Sequence, residues 1–330
     1  MQGPMLSSGE QTSALLQLIG KGTHISHAEI ARRLKVGEDE LSDILVALSD
    51  VGFEFDHHPH TGLQLLAVPD RVTPDAISNS LHTEKIGARI HYSESCESTN
   101  SLAIELASHG EPDGALVVAE HQRKGRGRFA RRWESSRFCS ILATLVLTPF
   151  APSLRPLVVL AAALSVVEGL RDFGIDSHIR WPNDVVVRGK KICGILAEGG
   201  QDYLVCGFGV NVNQRSFPHT LSDSSTSIAM QQKRPCERPA LLSRILQHFE
   251  EQYDGLRRGD LQDILDEIRG VSCVLGKRVR LLVGPVVVDG DVVDFDDSGS
   301  LLLRQDSGRV LQILPQEASL LCNSMKEGRK

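Results

Sequence analysis

Residues 180–198 read RWPNDVVVRGKKICGILAE. Proline after Trp181 disfavours helix at the tryptophan and sets an extended or turn geometry there. DVVV and KICGILAE are apolar, largely β-branched or aliphatic runs on either side of Arg188-Gly189-Lys190, so the stretch predicts a β-hairpin. Asn183 and Asp184 stand where its first strand begins. A carboxylate beside apolar neighbours needs a partner when buried. Lys191 starts the second strand and can point its ammonium into a cleft, with Gly194 three residues on. The hairpin and the ligand chemistry are read together.

Two further clusters flank it. Downstream, Gly207–Asn213 reads GFGVNVN; alternation along a strand places Asn211 and Asn213 on one face. The glycines alone would be explained by packing, the asparagines less easily. Upstream, Gln122–Trp133 reads QRKGRGRFARRW, with Arg123, Lys124, Arg126, Arg128, Arg131 and Arg132 among its twelve residues. It follows an expected strand at 115–120, which makes it a loop at a strand end. Gly125 and Gly127 let a backbone approach a ligand closely, and guanidinium forks suit carboxylate or phosphate. In isolation it could equally be a solvated basic loop or a nucleic-acid patch. Gly125, Gly127 and Ala130 also fit the dinucleotide pattern G-x-G-x-x-A, but no apolar helix opens there and no acid follows about twenty residues on. Ser98-Thr99-Asn100 precedes an expected helix at 102–107 and reads first as its cap.

The ends of the chain have different patterns. Residues 1–70 hold four basic and ten acidic residues, so the whole net charge of −6 sits there. Apolar residues at 15–19, in HAEIARRL (27–34) and at Leu41, Ile44, Leu45 and Leu48 recur at helical spacing. Gly52 is a stop, and short strands at 53–56 and 63–68 flank the turn HPHTG. Helices followed by a β-hairpin make a winged helix-turn-helix over 1–70, with a small helical interaction domain as the alternative. The proline-bearing stretch 69–85 reads as partly linker. A central domain over 80–268 carries the motifs, with long helices expected at 157–172 and 239–256. Short β-branched runs separated by Gly-Pro, Asp-Gly and Ser-Gly turns make 271–330 a small β-barrel or sandwich.

With 330 residues, 41% hydrophobic and 24% charged, the chain can bury a core over two or three domains. Its acidic balance excludes a globally basic nucleic-acid wrapper. The seven cysteines form no C-x-x-C pair, which argues against a disulfide scaffold or zinc site and for a reducing cytoplasm. The apolar run 157–167 is too short to span a bilayer, and the N-terminal residues lack the pattern of a signal peptide.

In order and spacing, Ser98–Asn100, Gly125–Trp133, Arg180–Asp184, Lys191–Glu198 and Gly207–Asn213 resemble the motifs of the biotin protein ligase family, closely over 83–269 and in layout over both flanks. The resemblance implies an α+β multidomain chain: an N-terminal winged helix-turn-helix, a central class II synthetase-like mixed sheet with helices, and a C-terminal SH3-like β-barrel. It implies a biotin–[acetyl-CoA-carboxylase] ligase that makes biotinyl-5′-AMP from biotin and ATP with Mg²⁺. The biotinyl group then passes to a lysine of a biotin carboxyl carrier protein.

On this resemblance Lys191, Arg126 and Arg128 are catalytic. Ser98, Thr99, Asn100, Gln122, Arg126, Gly127, Arg128, Lys191 and Gly194 bind biotin. Arg128, Arg131, Trp133, Asn183 and Asn211 bind the nucleotide, and Asp184 orders the basic groups or an outer Mg²⁺ shell. The loop at 122–133 is expected to be mobile when empty and ordered over the intermediate. Ala130 departs from the family's glycine, a strain of order 1 kcal/mol if φ is positive there. Homodimerisation is implied too. A repressor role is not well supported: the expected recognition helix at 38–50 carries Glu38, Asp39, Glu40, Asp43 and Asp50 and no cation, leaving Arg32, Arg33 and Lys35 to meet DNA phosphates. The alternatives are a lipoate or octanoate ligase and a non-catalytic, biotin-sensing DNA-binding regulator.

Overall fold

The computed structural model describes residues 8–19, 24–50, 53–58, 62–68, 70–149 and 151–321. They form two compact units, Met1–Asp70 and Arg71–Lys330. The first contains α1 (Ser8–Ile19), α2 (His27–Leu34), α3 (Glu38–Asp50) and the antiparallel pair β1 (Glu54–His58) and β2 (Gly62–Ala67). The expected periodicity is what the core uses: Leu15, Ile19, Ile30, Leu34, Leu41, Ile44, Leu45 and Leu48 are all buried in one cluster. The Ser26 hydroxyl caps α2 by accepting from the Glu29 amide. Arg32 and Arg33 both turn onto Glu29, at 2.6 Å each, while Glu38, Asp39, Glu40 and Asp43 on α3 are exposed. Gly52 and turn residues 59–61 lie outside the described residues.

The second unit continues with α4 (Pro74–Ser78), β3 (Ile90–Ser93), α5 (Thr99–Ser108), β4 (Leu116–Ala119), β5 (Ser140–Leu147) and α6 (Arg155–Asp172). Then come β6 (His178–Arg180), β7 (Asp184–Val187), β8 (Lys190–Gly199), β9 (Leu204–Asn211), α7 (Ile228–Gln232), α8 (Arg238–Arg258) and α9 (Leu261–Val271). Strands β3 to β9 form one seven-stranded sheet in the order β3-β4-β5-β9-β8-β7-β6. Only β3 and β4 pair in parallel.

Strand β5, SILATLVL, is buried along its whole length, as expected for a strand covered on both faces. Helix α5 covers one face over Val117, Val146 and Val205. Helices α6 and α8 lie on the other, over Leu145, Cys206 and Phe208. Residues Pro152–Asp172 are long and apolar enough to cross a membrane, more than the short run 157–167 suggested. That apolar surface is spent inside the unit, with Leu157–Leu170 of α6 largely buried.

The chain ends in a five-stranded antiparallel sheet of β10 (Arg278–Val283), β11 (Val286–Phe295), β12 (Leu301–Arg304), β13 (Val310–Ile313) and β14 (Ala318–Leu320). The Trp181 indole donates to the Gly299 carbonyl at 3.1 Å and ties this sheet to the larger one.

Segment 69–85 is not a linker throughout. The Val72 amide donates to Glu120 at 2.9 Å, and Ser80 hydrogen-bonds Ser243 of α8. Glu120 also pairs with Arg238 at 2.8 Å, both side chains fully buried. Arg238 donates in turn to the Ser140 carbonyl. Removing one partner of a buried pair costs about 3–5 kcal/mol, so this pair fixes the end of β4, two residues before Gln122.

Candidate active site

One cavity of about 270 Å³ gathers the motifs. Ser98, Thr99, Asn100, Gln122, Arg126, Gly127, Arg128, Arg131, Trp133, Asn183, Asp184, Lys191, Gly194 and Asn211 all line it. Arg32, Arg33 and Lys35 belong to the first unit.

The hairpin forms as expected, β7 pairing antiparallel with β8 across a bulge. Asp184 Oδ1 meets Lys191 Nζ at 2.6 Å and Asp184 Oδ2 meets Arg180 at 2.9 Å. Burial works to raise the Asp184 pKa, but the two cations outweigh it and hold the carboxyl below its ordinary value. Each Asp184 oxygen thus already pairs with a cation of the protein. Among the described residues no group of three or more His, Cys, Asp or Glu could hold a metal ion. Gly194 makes room for the lysine, since a Cβ there would lie 2.8 Å from Lys191 Cε and Nζ.

The arginine loop is a small crossing of the chain: the Gly127 amide donates to Arg131 and the Trp133 amide to Gly125. A Cβ on Gly125 would lie 2.5 Å from the Trp133 carbonyl, whereas Gly127 has ordinary room. Gly125 is thus demanded by the loop itself, before any ligand approaches. Phe129 and Ala130 both have left-handed backbones, φ 55° and 57°. The position where glycine was missed does need positive φ, and alanine adopts it.

Arg128 carries the main electrostatic feature. It donates to Asn183 Oδ1 at 3.2 Å and to the carbonyls of Pro315 and Ala318, the last at 2.8 Å. All three acceptors are neutral, and burial pushes its pKa down to about 10. Arg131 reaches the Ser319 hydroxyl at 3.1 Å. The C-terminal sheet is therefore part of the site, which backbone acceptors and one serine concealed from the sequence.

Trp133 lies between two strands. A Cβ on Gly209 would come within 2.6 Å of its ring and one on Gly194 within 3.2 Å. Its indole N–H is buried without a partner, and Lys191 Nζ stands 5.6 Å from the ring centroid. Asn211 lines the cavity, but Asn213 does not: its amide pairs both ways with the Cys236 backbone at 2.9 Å. The alternation fails because β9 ends at Asn211.

The other end of the cavity is a polar floor. Ser98 occupies the N-cap position of α5 yet makes no side-chain capping bond, so the capping explanation of 98–100 does not hold. Instead Gln122 Oε1 accepts from the Thr99 amide at 2.8 Å, with the Thr99 hydroxyl 3.1 Å away. Asn100 Nδ2 donates to Leu196 O and Glu198. Arg126 donates to the same Glu198 oxygen at 2.9 Å and to Ser101 at 2.5 Å. Thr144, absent from the expected site, lies 2.8 Å from both Thr99 Oγ1 and Asn100 Oδ1. A Cβ on Gly207 would collide with Asn100 Oδ1 at 2.1 Å, which accounts for that glycine. Amides at one end, an indole at the other and two cations between them suit an elongated ligand with an anionic centre.

Residues 92–211 match the family described as Biotin/lipoate A/B protein ligase family, and 274–315 match the Biotin protein ligase C terminal domain. The chain is 34% identical over 268 residues to the bifunctional ligase/repressor BirA of Bacillus spizizenii, covering 78% of this chain and 82% of that protein. It is 32% identical over 247 residues to the biotin–[acetyl-CoA-carboxylase] ligase of Mycobacterium tuberculosis, covering 71% of this chain and 92% of that one. The biotin protein ligase of Aquifex aeolicus, solved in complex with biotin and ATP, superposes with a TM-score of 0.63 at 29% identity, covering 71% of this chain and 99% of that one.

Proposed function

This chain belongs to the biotin protein ligase family, and from that premise we propose how its residues divide the work. The enzyme activates biotin with ATP and transfers it to a lysine of a biotin carboxyl carrier protein. In the first step a biotin carboxylate oxygen bonds to the α-phosphorus, and the bond to the pyrophosphate oxygen breaks. In the second the lysine nitrogen bonds to the acyl carbon, the acyl–phosphate bond breaks, AMP leaves and the amine gives up a proton.

Two anions must meet in the first step, so positive charge is needed where they join. Arg128 supports this reading most directly: a half-buried guanidinium whose hydrogen-bond acceptors are all neutral is poised for an anion. Lys191, held by Asp184, faces the same space as a point charge. Ser98, Thr99, Asn100 and Gln122 take the ureido ring, with Arg126, Gly127 and Gly194 along the biotin path. Trp133 stacks on adenine, and Asn183, Asn211 and Arg131 contact the nucleotide. Mg²⁺ brought in with ATP would neutralise phosphate charge, and Asp184 would order its outer shell or the basic groups beside it.

The test is ATP–pyrophosphate exchange with biotin and lipoate in parallel. Exchange is expected with biotin alone and falls about 10²–10³-fold in Lys191→Met, the scale of losing one charge-stabilising donor. Exchange with lipoate alone, or an unaffected variant, would refute the assignment.

The first unit we read as a winged helix that does not read DNA sequence, and the five-stranded sheet as SH3-like. Exposed acids on α3 repel phosphates, and Arg32 and Arg33 are engaged by Glu29. Fluorescence anisotropy on the chain's own upstream DNA, with biotinyl-5′-AMP present, should show no sequence preference. A homodimer and a cytoplasmic setting fit the same reading; the described cysteines are free thiols.

A further inference from the structure

The polar floor beneath the cavity has more hydrogen-bonding oxygens than hydroxyl protons, and that shortage fixes its polarity. The arrangement starts at Glu198. Its carboxylate and the Leu196 carbonyl only accept, so the Asn100 amide must turn its NH₂ toward them, at 2.8 and 3.1 Å. That leaves Asn100 Oδ1 facing Thr144 Oγ1 at 2.8 Å. The single hydroxyl proton of Thr144 is therefore committed to Asn100. Thr144 then receives Thr99 as a lone-pair acceptor, also at 2.8 Å. Two hydroxyl oxygens at 2.8 Å need a proton between them, and with Thr144's committed to Asn100 that proton is Thr99's. Thr99 then has only a lone pair left for the cavity it lines. Gln122, whose oxygen is held by the Thr99 amide, has its NH₂ left to give.

We propose that Thr144, fully buried beneath the site, is a specificity-determining positioning residue that sets Thr99 as an acceptor beside Gln122, which the Thr99 amide holds as a donor. That pattern complements a cyclic urea, whose ring N–H donates beside a carbonyl that accepts. This rests on the reading of the cavity floor as the ureido subsite. Thr144 touches no substrate. It acts by removing the Thr99 proton from the ligand side, with Asn100 and Glu198 fixing its direction.

Thr144→Val keeps the shape and removes the hydroxyl. Binding is measured by calorimetry with biotin and with the two cyclic carbamate analogues in which one or the other ring N–H is replaced by oxygen. For biotin, Kd is expected to rise about tenfold, the scale of one hydrogen bond in a buried network, and KM in the exchange assay should rise with little change in kcat. For the analogue lacking the N–H that meets Thr99, the substitution should change Kd less than twofold. Thr144→Ser, which keeps the hydroxyl, should restore wild-type affinity and serves if the valine variant fails to fold: a serine variant as weak as one lacking the hydroxyl, Thr144→Ala, overturns the proposal. Equal penalties for biotin and both carbamates, or an unchanged biotin Kd in Thr144→Val, overturn it as well while leaving the ligase reading intact. A wild-type enzyme that binds no biotin overturns both.

Discussion

Arg128 and Ala318 stand 190 residues apart in the chain, yet the guanidinium donates to the Ala318 carbonyl at 2.8 Å. The arginine loop lining the cavity is thereby hooked to the last strand of the C-terminal sheet, and the wall of the site is shared by two parts of the fold.

Arg128→Gly removes that hook together with the bonds to Asn183 and Pro315. Release of biotinyl-5′-AMP is expected to quicken on the order of 10²-fold, from hydrogen bonds to a charged group worth about 1.5–3 kcal/mol each. The escaped anhydride should then label lysines at random. Mass spectrometry of a bystander protein checks this, and equal labelling by wild type and variant would count against it.

The Asp184 carboxyl has a folded pKa below its unfolded value of about 4. Its ion pairs with Lys191 and Arg180 contribute stability that is complete above about pH 4 and is lost as pH falls through the lower folded value. The stability gap between wild type and Asp184→Asn should be constant from about pH 7 to 5 and close in stronger acid. Urea midpoints over that range test it; a gap that widens on acidification contradicts the pairing.

Gly209→Ala places a methyl within 2.6 Å of the Trp133 ring. The indole must move off its strand, and overpacking of this kind costs about 1–3 kcal/mol. KM for ATP should rise roughly tenfold or more while biotin affinity is retained. An ATP titration at saturating biotin reads the effect, and an unchanged KM removes Trp133 from the nucleotide subsite.

Ala130→Gly relieves a left-handed alanine at φ 57°. The variant should gain about 1 kcal/mol in denaturant unfolding, since that conformation costs an L-residue about 1–2 kcal/mol. No gain would mean that the surrounding loop accommodates the strain.

The motifs carried most of the site because its chemistry is borne by side chains of unusual type: six cations in twelve residues, a carboxylate among valines, asparagines in a strand. Helical periodicity located the buried faces of the first unit for a similar reason, since Leu41, Ile44, Leu45 and Leu48 have no other use for that spacing. What stayed hidden had no such mark. Thr144 is one of two hydroxyls in SILATLVL, a run that reads as core. The acceptors for Arg128 at 315 and 318 are main-chain atoms, which every residue has. Asn213 misled because alternation holds only while the strand lasts, and β9 stops two residues earlier. Gly125 and Gly207 were legible as glycines, but whether each makes room for a ligand or for Trp133 and Asn100 needed coordinates.

The C-terminal sheet holds Arg128 by peptide oxygens, so the hold is indifferent to which amino acids supply them and sensitive to where they fall. Missense changes at 315 and 318 that preserve the backbone path should be silent in the loop. A single-codon insertion or deletion between β13 and β14 would slide both oxygens out of reach at once. Lineages can therefore respell the exposed positions 316 and 317 while keeping the segment's length, and C-terminal sheets exchanged between relatives should function wherever that length, the buried Ala318 and the Ser319 hydroxyl are matched.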